Sequence, residues 1–195
     1  MIPAFLLIIA AVSYRIGAGL AIISGTTWLS NFAPMAAIAL CGAVYFRGHY
    51  KFTVPLVALL ISDLVLNLRY EAPLLDPLIL CRYFALSLVG MVGLFVAKHP
   101  SLNRLLVGSL AGSVVFYIVT NVFSWLTDPG YAKDLAGMLQ ALTVGLPQHS
   151  ATPTWMFFRN SVVSDLFFTV LFFFCMKFAR SPDSTRAASA LPRPA

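Results

Sequence analysis

Apolar positions in this chain do not alternate and do not mark out a single helix face. They come in near-continuous runs, over residues 2–14, 32–46, 52–68, 78–97, 105–126 and 155–178, separated by short polar breaks. A run of about 20 apolar residues is the length an α-helix needs to cross a hydrocarbon core roughly 30 Å thick. With no water in that core to satisfy backbone amides, the spanning segments must be helices or a closed barrel, and runs this long read as helices. The breaks carry the expected punctuation. Pro34 suits a first helical turn, where a missing N–H costs nothing. Arg47-Gly48-His49-Tyr50-Lys51, the stretch 69–77 with two prolines, and Lys98-His99-Pro100 interrupt the pattern. Asp128-Pro129-Gly130 is a turn signal. Residues 131–146 open with charge and are only moderately apolar, which predicts a short interfacial or re-entrant helix. The first two runs are short for a full crossing, and one kinked helix over residues 2–29 is the alternative. The pattern thus predicts an all-α, polytopic membrane helix bundle of about six transmembrane helices plus the short helix. It fills residues 1–179. A Ser-, Ala- and Pro-rich tail, 180–195, is expected to be disordered.

Composition agrees with the pattern. Of 195 residues, 59% are hydrophobic and 10% charged, against about 25% charged in soluble domains. The net charge of +6 does not point to nucleic acid, because the basic residues sit at the ends of apolar runs, where they act as topology signals. With six spans, one side collects Arg47, Lys51, Lys98, Arg104, Lys177, Arg180, Arg186 and Arg193, and the other Arg15, Arg69 and Lys133. The asymmetry predicts that both termini are cytoplasmic. No basic residue precedes the first run and no cleavage site closes it, so it is expected to be a transmembrane helix rather than a cleaved signal. Trp28, Trp125, Trp155, Tyr70 and Tyr131 fall near predicted membrane boundaries, as an interfacial belt requires.

Motif chemistry is sparse. Cys41, Cys81 and Cys175 lie far apart in apolar runs, which suits helix packing and no disulfide or zinc framework. His49, His99 and His149 lie in separate loops. Without H-E-x-x-H, G-x-S-x-G or P-loop motifs, no metal, cofactor or intrinsic ATPase is expected.

Polar residues inside the runs carry the functional interest, because ionisable groups in hydrocarbon are costly. Asp63, Asn67, Arg82, Asn121, Arg159 and Asn160 fall at one depth, in the outer half, when successive runs alternate in direction. Asp165 lies nearer the middle of the last run, and Asn31 opens the second. These eight residues predict a polar chamber for a small ligand arriving from outside. Asp63→Ala and Arg82→Ala are each expected to abolish capture while leaving expression intact. A competing reading makes Arg82–Asp63 and Arg159–Asp165 interhelical pairs that only hold the bundle. Two other readings stay open: an intramembrane enzyme acting on a lipid or isoprenoid, with Asp63 and Asp165 as acid and base, and a structural assembly subunit. Ser62-Asp63-Leu64 is echoed by Ser164-Asp165-Leu166. Ala33/Ala37 and Ala39/Ala43 have small-xxx-small spacing, a thin face that lets another helix approach, from this chain or a partner.

Residues 31–40, Asn-Phe-Ala-Pro-Met-Ala-Ala-Ile-Ala-Leu, followed by Gly42-Ala43-Val44-Tyr45-Phe46, look like an uncharacterised bacterial membrane family. So do Val54-Pro55-Leu56 with Ser62-Asp63-Leu64, Thr120-Asn121 with Trp125, and Phe158-Arg159-Asn160 with Asp165-Leu166. That family resembles the substrate-binding (S) components of energy-coupling-factor vitamin transporters. The resemblance spans roughly residues 31–178. It implies a six-helix subunit that captures a micronutrient outside and docks on a membrane coupling subunit with two ATPases. S components often dock through an Ala-xxx-Ala motif on the first helix; here the spacing falls on the second run.

Overall fold

The computed structural model describes residues 2–23, 32–70 and 77–179. Asn31, Trp28 and the tail from residue 180 onward lie outside them. The described residues form α1 (Ile2–Ile23), α2 (Met35–Tyr45), α3 (Tyr50–Tyr70), α4 (Pro77–Ala97), α5 (Leu102–Thr127), α6 (Leu135–Leu142) and α7 (Thr154–Phe178). Five of these, α1, α3, α4, α5 and α7, are long and apolar enough to cross a membrane. Their exposed side chains are large and apolar, such as Leu6, Leu68, Leu80, Phe95, Val107 and Phe178. A surface of this kind is stable only against lipid. The chain is a helical membrane bundle.

Two elements depart from the expectation. The first helix does not stop at Tyr14: it continues through Arg15 to Ile23. Arg15 is therefore a buried bundle residue, 7% exposed, and not a loop residue. The helix tolerates it because its guanidinium finds partners on α3. The second run yields only 11 helical residues, about 16 Å at 1.5 Å per residue, half of a hydrocarbon core. The predicted short helix before the last span is α6, eight residues long.

Contacts fix how the helices run. Phe5 meets Phe46 and Tyr14 meets Phe32, so α1 and the segment leading into and out of α2 are antiparallel. A Cβ on Gly90 would meet Phe52, and Tyr83 bonds Asp63, which makes α3 and α4 antiparallel. Val96 faces Gly108 and Val89 faces Gly112, and α5 reverses again. Ser113 reaches Asp165, and Tyr117 lies against Phe158, so α7 opposes α5. One end of the bundle thus holds the start of α1, the α2–α3 and α4–α5 links and the end of α7. The other holds α6 and the α5–α7 connection.

The short α2 is the centre of the packing. Every residue from Ala36 to Ala43 is buried. The small-residue face proposed for docking is consumed here: Ala37, Ala39 and Ala43 are covered by the chain's own helices, and Ala33 is partly buried beside them. Its small side chains let α4 approach until a Cβ on Gly93 would stand 2.7 Å from the Leu40 carbonyl oxygen and 2.7 Å from the Ala43 Cβ. Gly93→Val overpacks this contact and is expected to cost about 1–3 kcal/mol. The check is the temperature at which half of the detergent-solubilised protein loses its monodisperse chromatographic peak. An unchanged midpoint would contradict the close α2–α4 approach.

Candidate functional site

α2 is about half as long as a hydrocarbon core is thick, and the described residues leave open space beyond its N-terminus. A cavity of about 370 Å³ occupies that space. Ala33, Met35 and Ala36 at the beginning of α2 contribute to its lining, as do Arg15 and Ala18 from α1. Arg82 comes from α4, Ser113, Tyr117 and Asn121 from α5, and Phe157, Ser161 and Asp165 from α7. A second cavity of about 640 Å³ adjoins it and shares Leu78, Asn121, Ser124, Thr154 and Phe157. This outer space is bounded by the connection between α5 and α7.

Two polar networks frame the inner cavity. In the first, Arg15 donates to Ser62 Oγ and, at 2.5 Å, to Asp63 Oδ1. The Tyr83 hydroxyl donates to Asp63 Oδ2 at 2.8 Å. This ties α1, α3 and α4 together, and both Asp63 oxygens are used. In the second network, Asp165 is only 2% exposed. Its Oδ1 accepts the Ala37 N–H at 2.9 Å and its Oδ2 accepts the Ser113 hydroxyl at 2.8 Å. The Ala36 N–H faces the same carboxylate.

These two N–H groups belong to the first turn of α2. Pro34, at the N-cap position, supplies no side-chain cap. An N-cap side chain ordinarily satisfies such donors. Here a carboxylate from α7, far along the chain, does so from outside the helix. The carboxyl group also sits at the positive end of the α2 dipole.

The predicted site residues separate into groups. Arg82, Asn121 and Asp165 line the cavity. Asp63 stands behind Arg15, and Asn67 is partly buried on α3 without lining the cavity. Arg159 is exposed, bonds Asn160 Oδ1 at 3.1 Å and lies 5.7 Å from the Trp155 ring centroid, on the outside of the bundle. The ion pairs considered from sequence are replaced: Asp63 pairs with Arg15, not Arg82, and Asp165 is held by N–H and O–H donors, not Arg159. An acid–base pair of Asp63 and Asp165 is not assembled, since only Asp165 reaches the cavity. The two Ser-Asp steps also have unlike surroundings. Ser62 bonds Arg15, whereas Ser164 Oγ is buried with no hydrogen-bond partner among the described residues. Sequence reasoning passed over Arg15, Tyr83, Ser113 and Tyr117. For Arg15 a signal was present: the apolar character resumes from Ile16 to Ile23.

The α5–α7 connection is strapped to the bundle beside the outer cavity. Asp134 caps α6 by accepting the Gly137 N–H at 2.8 Å. The Tyr117 hydroxyl donates to the Leu142 carbonyl. Trp125 Nε1 donates to the Ala132 carbonyl at 2.8 Å. Tyr131, expected in an interfacial belt, is instead buried against Ala141, Leu146 and Trp125. Asp128 accepts the Gly130 N–H at 2.8 Å and contacts His149 Nε2 at 2.7 Å. The Gly130 hydrogen bond first, and His149 second, hold its carboxyl below the usual carboxylate range.

A half-length helix capped from a neighbouring span, with a cavity beyond it, places this chain among multi-pass helical membrane proteins with a cavity between their helices. Residues 1–188 match a family of unknown function, DUF6580, and the chain belongs to that family. No curated protein and no solved structure matches the chain.

Proposed function

We propose that this protein is the solute-binding membrane subunit of an uptake system for a small, vitamin-like molecule. The observation that carries the reading is the cavity beside the half-length α2. Its volume falls in the range of small-molecule pockets, and its wall mixes aromatic surface with a few convergent polar groups. A subunit that only held a membrane assembly together would gain nothing from polar walls around open space within a bilayer, where unmet polar groups are costly. Arg47, Lys51, Lys98, Arg104 and Lys177 lie at the end of the bundle away from the cavity. This supports an orientation with both termini in the cytoplasm of a bacterium and the cavity toward the outside. Energy for transport would come from a coupling subunit and its ATPases, as in the transporters this chain resembles. They would dock on a surface other than the buried α2 stripe.

Thr120 lines the cavity and, among the described residues, its hydroxyl bonds the Phe116 and Tyr117 carbonyls of its own helix. Thr120→Trp therefore fills the space without breaking an interhelical hydrogen bond seen among the described residues. The expected result is a small molecule that copurifies with the wild-type protein and is absent from the equally monodisperse Thr120→Trp variant, as read by mass spectrometry of the released fraction. Identical small-molecule content in the two preparations would count against the reading.

A further inference from the structure

Hydrogen-bonding demand around the cavity is one-sided. Among the described residues, the two carboxylates beside it are already committed. Asp63 takes Arg15 on one oxygen and Tyr83 on the other, and Asp165 takes the Ala37 N–H on one and Ser113 on the other. Arg15 is neutralised by Asp63. Arg82 pairs with no carboxylate among the described residues: it lines the cavity, and its Nε is buried with no hydrogen-bond partner among them. A guanidinium has five N–H donors and no acceptor, so the group it lacks is an acceptor, and an anionic one answers the charge as well. Phe116, Tyr117, Phe157 and Phe158 supply aromatic surface on the same walls.

We propose that the cavity takes an organic anion, its carboxylate or phosphate bound by Arg82 and its apolar or aromatic body held among these rings. The inference rests on the ligand-binding reading above and adds the chemical class of the ligand. Arg pairs with carboxylate and phosphate through two parallel N–H···O bonds, and an aromatic wall favours a flat ring by stacking. The anion has two sources, a free small acid or the headgroup of an anionic lipid.

The test uses the full chain in nanodiscs of phosphatidylcholine. Benzoate and phenyl phosphate serve as anionic probes, benzyl alcohol and benzylamine as neutral and cationic ones, each measured by ligand-observed NMR. Benzoate and phenyl phosphate are expected to bind and to compete with each other, with the alcohol and amine at least tenfold weaker. Arg82→Gln is expected to weaken the anions about tenfold or more, as loss of a charge-assisted hydrogen bond requires. Arg82→Lys restores part of that loss, and benzyl alcohol is indifferent to both changes. A parallel arm replaces part of the lipid with phosphatidylglycerol. Competition of that lipid with benzoate, lost in Arg82→Gln, assigns the site to a headgroup, and its absence to a free acid. Equal binding of benzylamine or benzyl alcohol, or anion binding unchanged in Arg82→Gln, overturns the anion assignment while leaving the cavity reading in place. Binding of no probe and no phosphatidylglycerol, in wild type as in Thr120→Trp, overturns both.

Discussion

Asp63→Ala is expected to destabilise the bundle by about 3–5 kcal/mol, because it strands Arg15 as an unpaired buried charge. Arg15 is 7% exposed, and its partners among the described residues are Ser62 and Asp63. Removing the carboxylate leaves the guanidinium with a hydroxyl alone, and also deprives the Tyr83 hydroxyl of its acceptor. Tyr83→Phe, which loses one hydrogen bond and keeps the ion pair, should cost only about 1 kcal/mol. The double replacement Arg15→Met with Asp63→Leu should recover most of the loss, since apolar residues of similar volume often replace a buried pair without penalty. The measurement is resistance to unfolding of the purified protein in a titration with denaturing detergent. Equal sensitivity of the Asp63→Ala single variant and the double variant would show that the ion pair is not what Asp63 contributes. The expectation from sequence alone was loss of ligand capture with normal expression. The contact geometry instead predicts a folding defect that precedes any effect on ligand.

That reversal marks the limit of what the sequence made legible. Depth was readable. Apolar runs of bilayer length alternate in direction, so position along a run becomes level in the membrane. Arg82, Asn121 and Asp165 do meet at one cavity. Azimuth was far less readable, because helices with apolar residues on every side carry little amphipathic signal to show which face turns inward. Arg159 was grouped with the chamber, yet it bonds Asn160 and lies beside Trp155 on the outside. The proposed Arg159–Asp165 pair was excludable from sequence: six residues at about 100° per residue put the two on different faces of α7. Arg15 escaped for another reason. A charge within the first run looked like its end, because an arginine inside a span needs a partner, and the partner lies 48 positions away on α3. The small-residue stripe on α2 was correctly read as a close-approach face. What covers it, α4 at Gly93, depends on tertiary placement that spacing alone does not encode.

Asp165→Ala should loosen α2 from its N-terminus, at a cost of roughly 2 kcal/mol or more, the sum of a lost cap and newly unsatisfied buried donors. The reasoning starts from a local deficit. Pro34 occupies the N-cap position and has no side-chain oxygen; the Met35 N–H turns to the Ala33 carbonyl, and among the described residues no cap next to them in sequence satisfies the Ala36 and Ala37 N–H groups. In water they would be hydrated; inside a bilayer that remedy is restricted to whatever water the cavity holds. Asp165 meets the need from α7, and Ser113 from α5 steadies its other oxygen. One carboxylate therefore joins α2, α5 and α7 at the base of the cavity. Asp165→Asn keeps a carbonyl oxygen for the Ala37 N–H and should retain part of the stability, whereas Ser113→Ala removes only one donor and should cost less than either. Cys41, fully buried on α2, reports on this movement once Cys81 and Cys175 are replaced by serine and alanine. Its reaction with a small maleimide should be slow in that background, faster with Asp165→Asn and fastest with Asp165→Ala. If the thiol were equally protected in all three, the α7 carboxylate would not be what anchors the half-length helix, and the cavity beyond it would owe its shape to another contact.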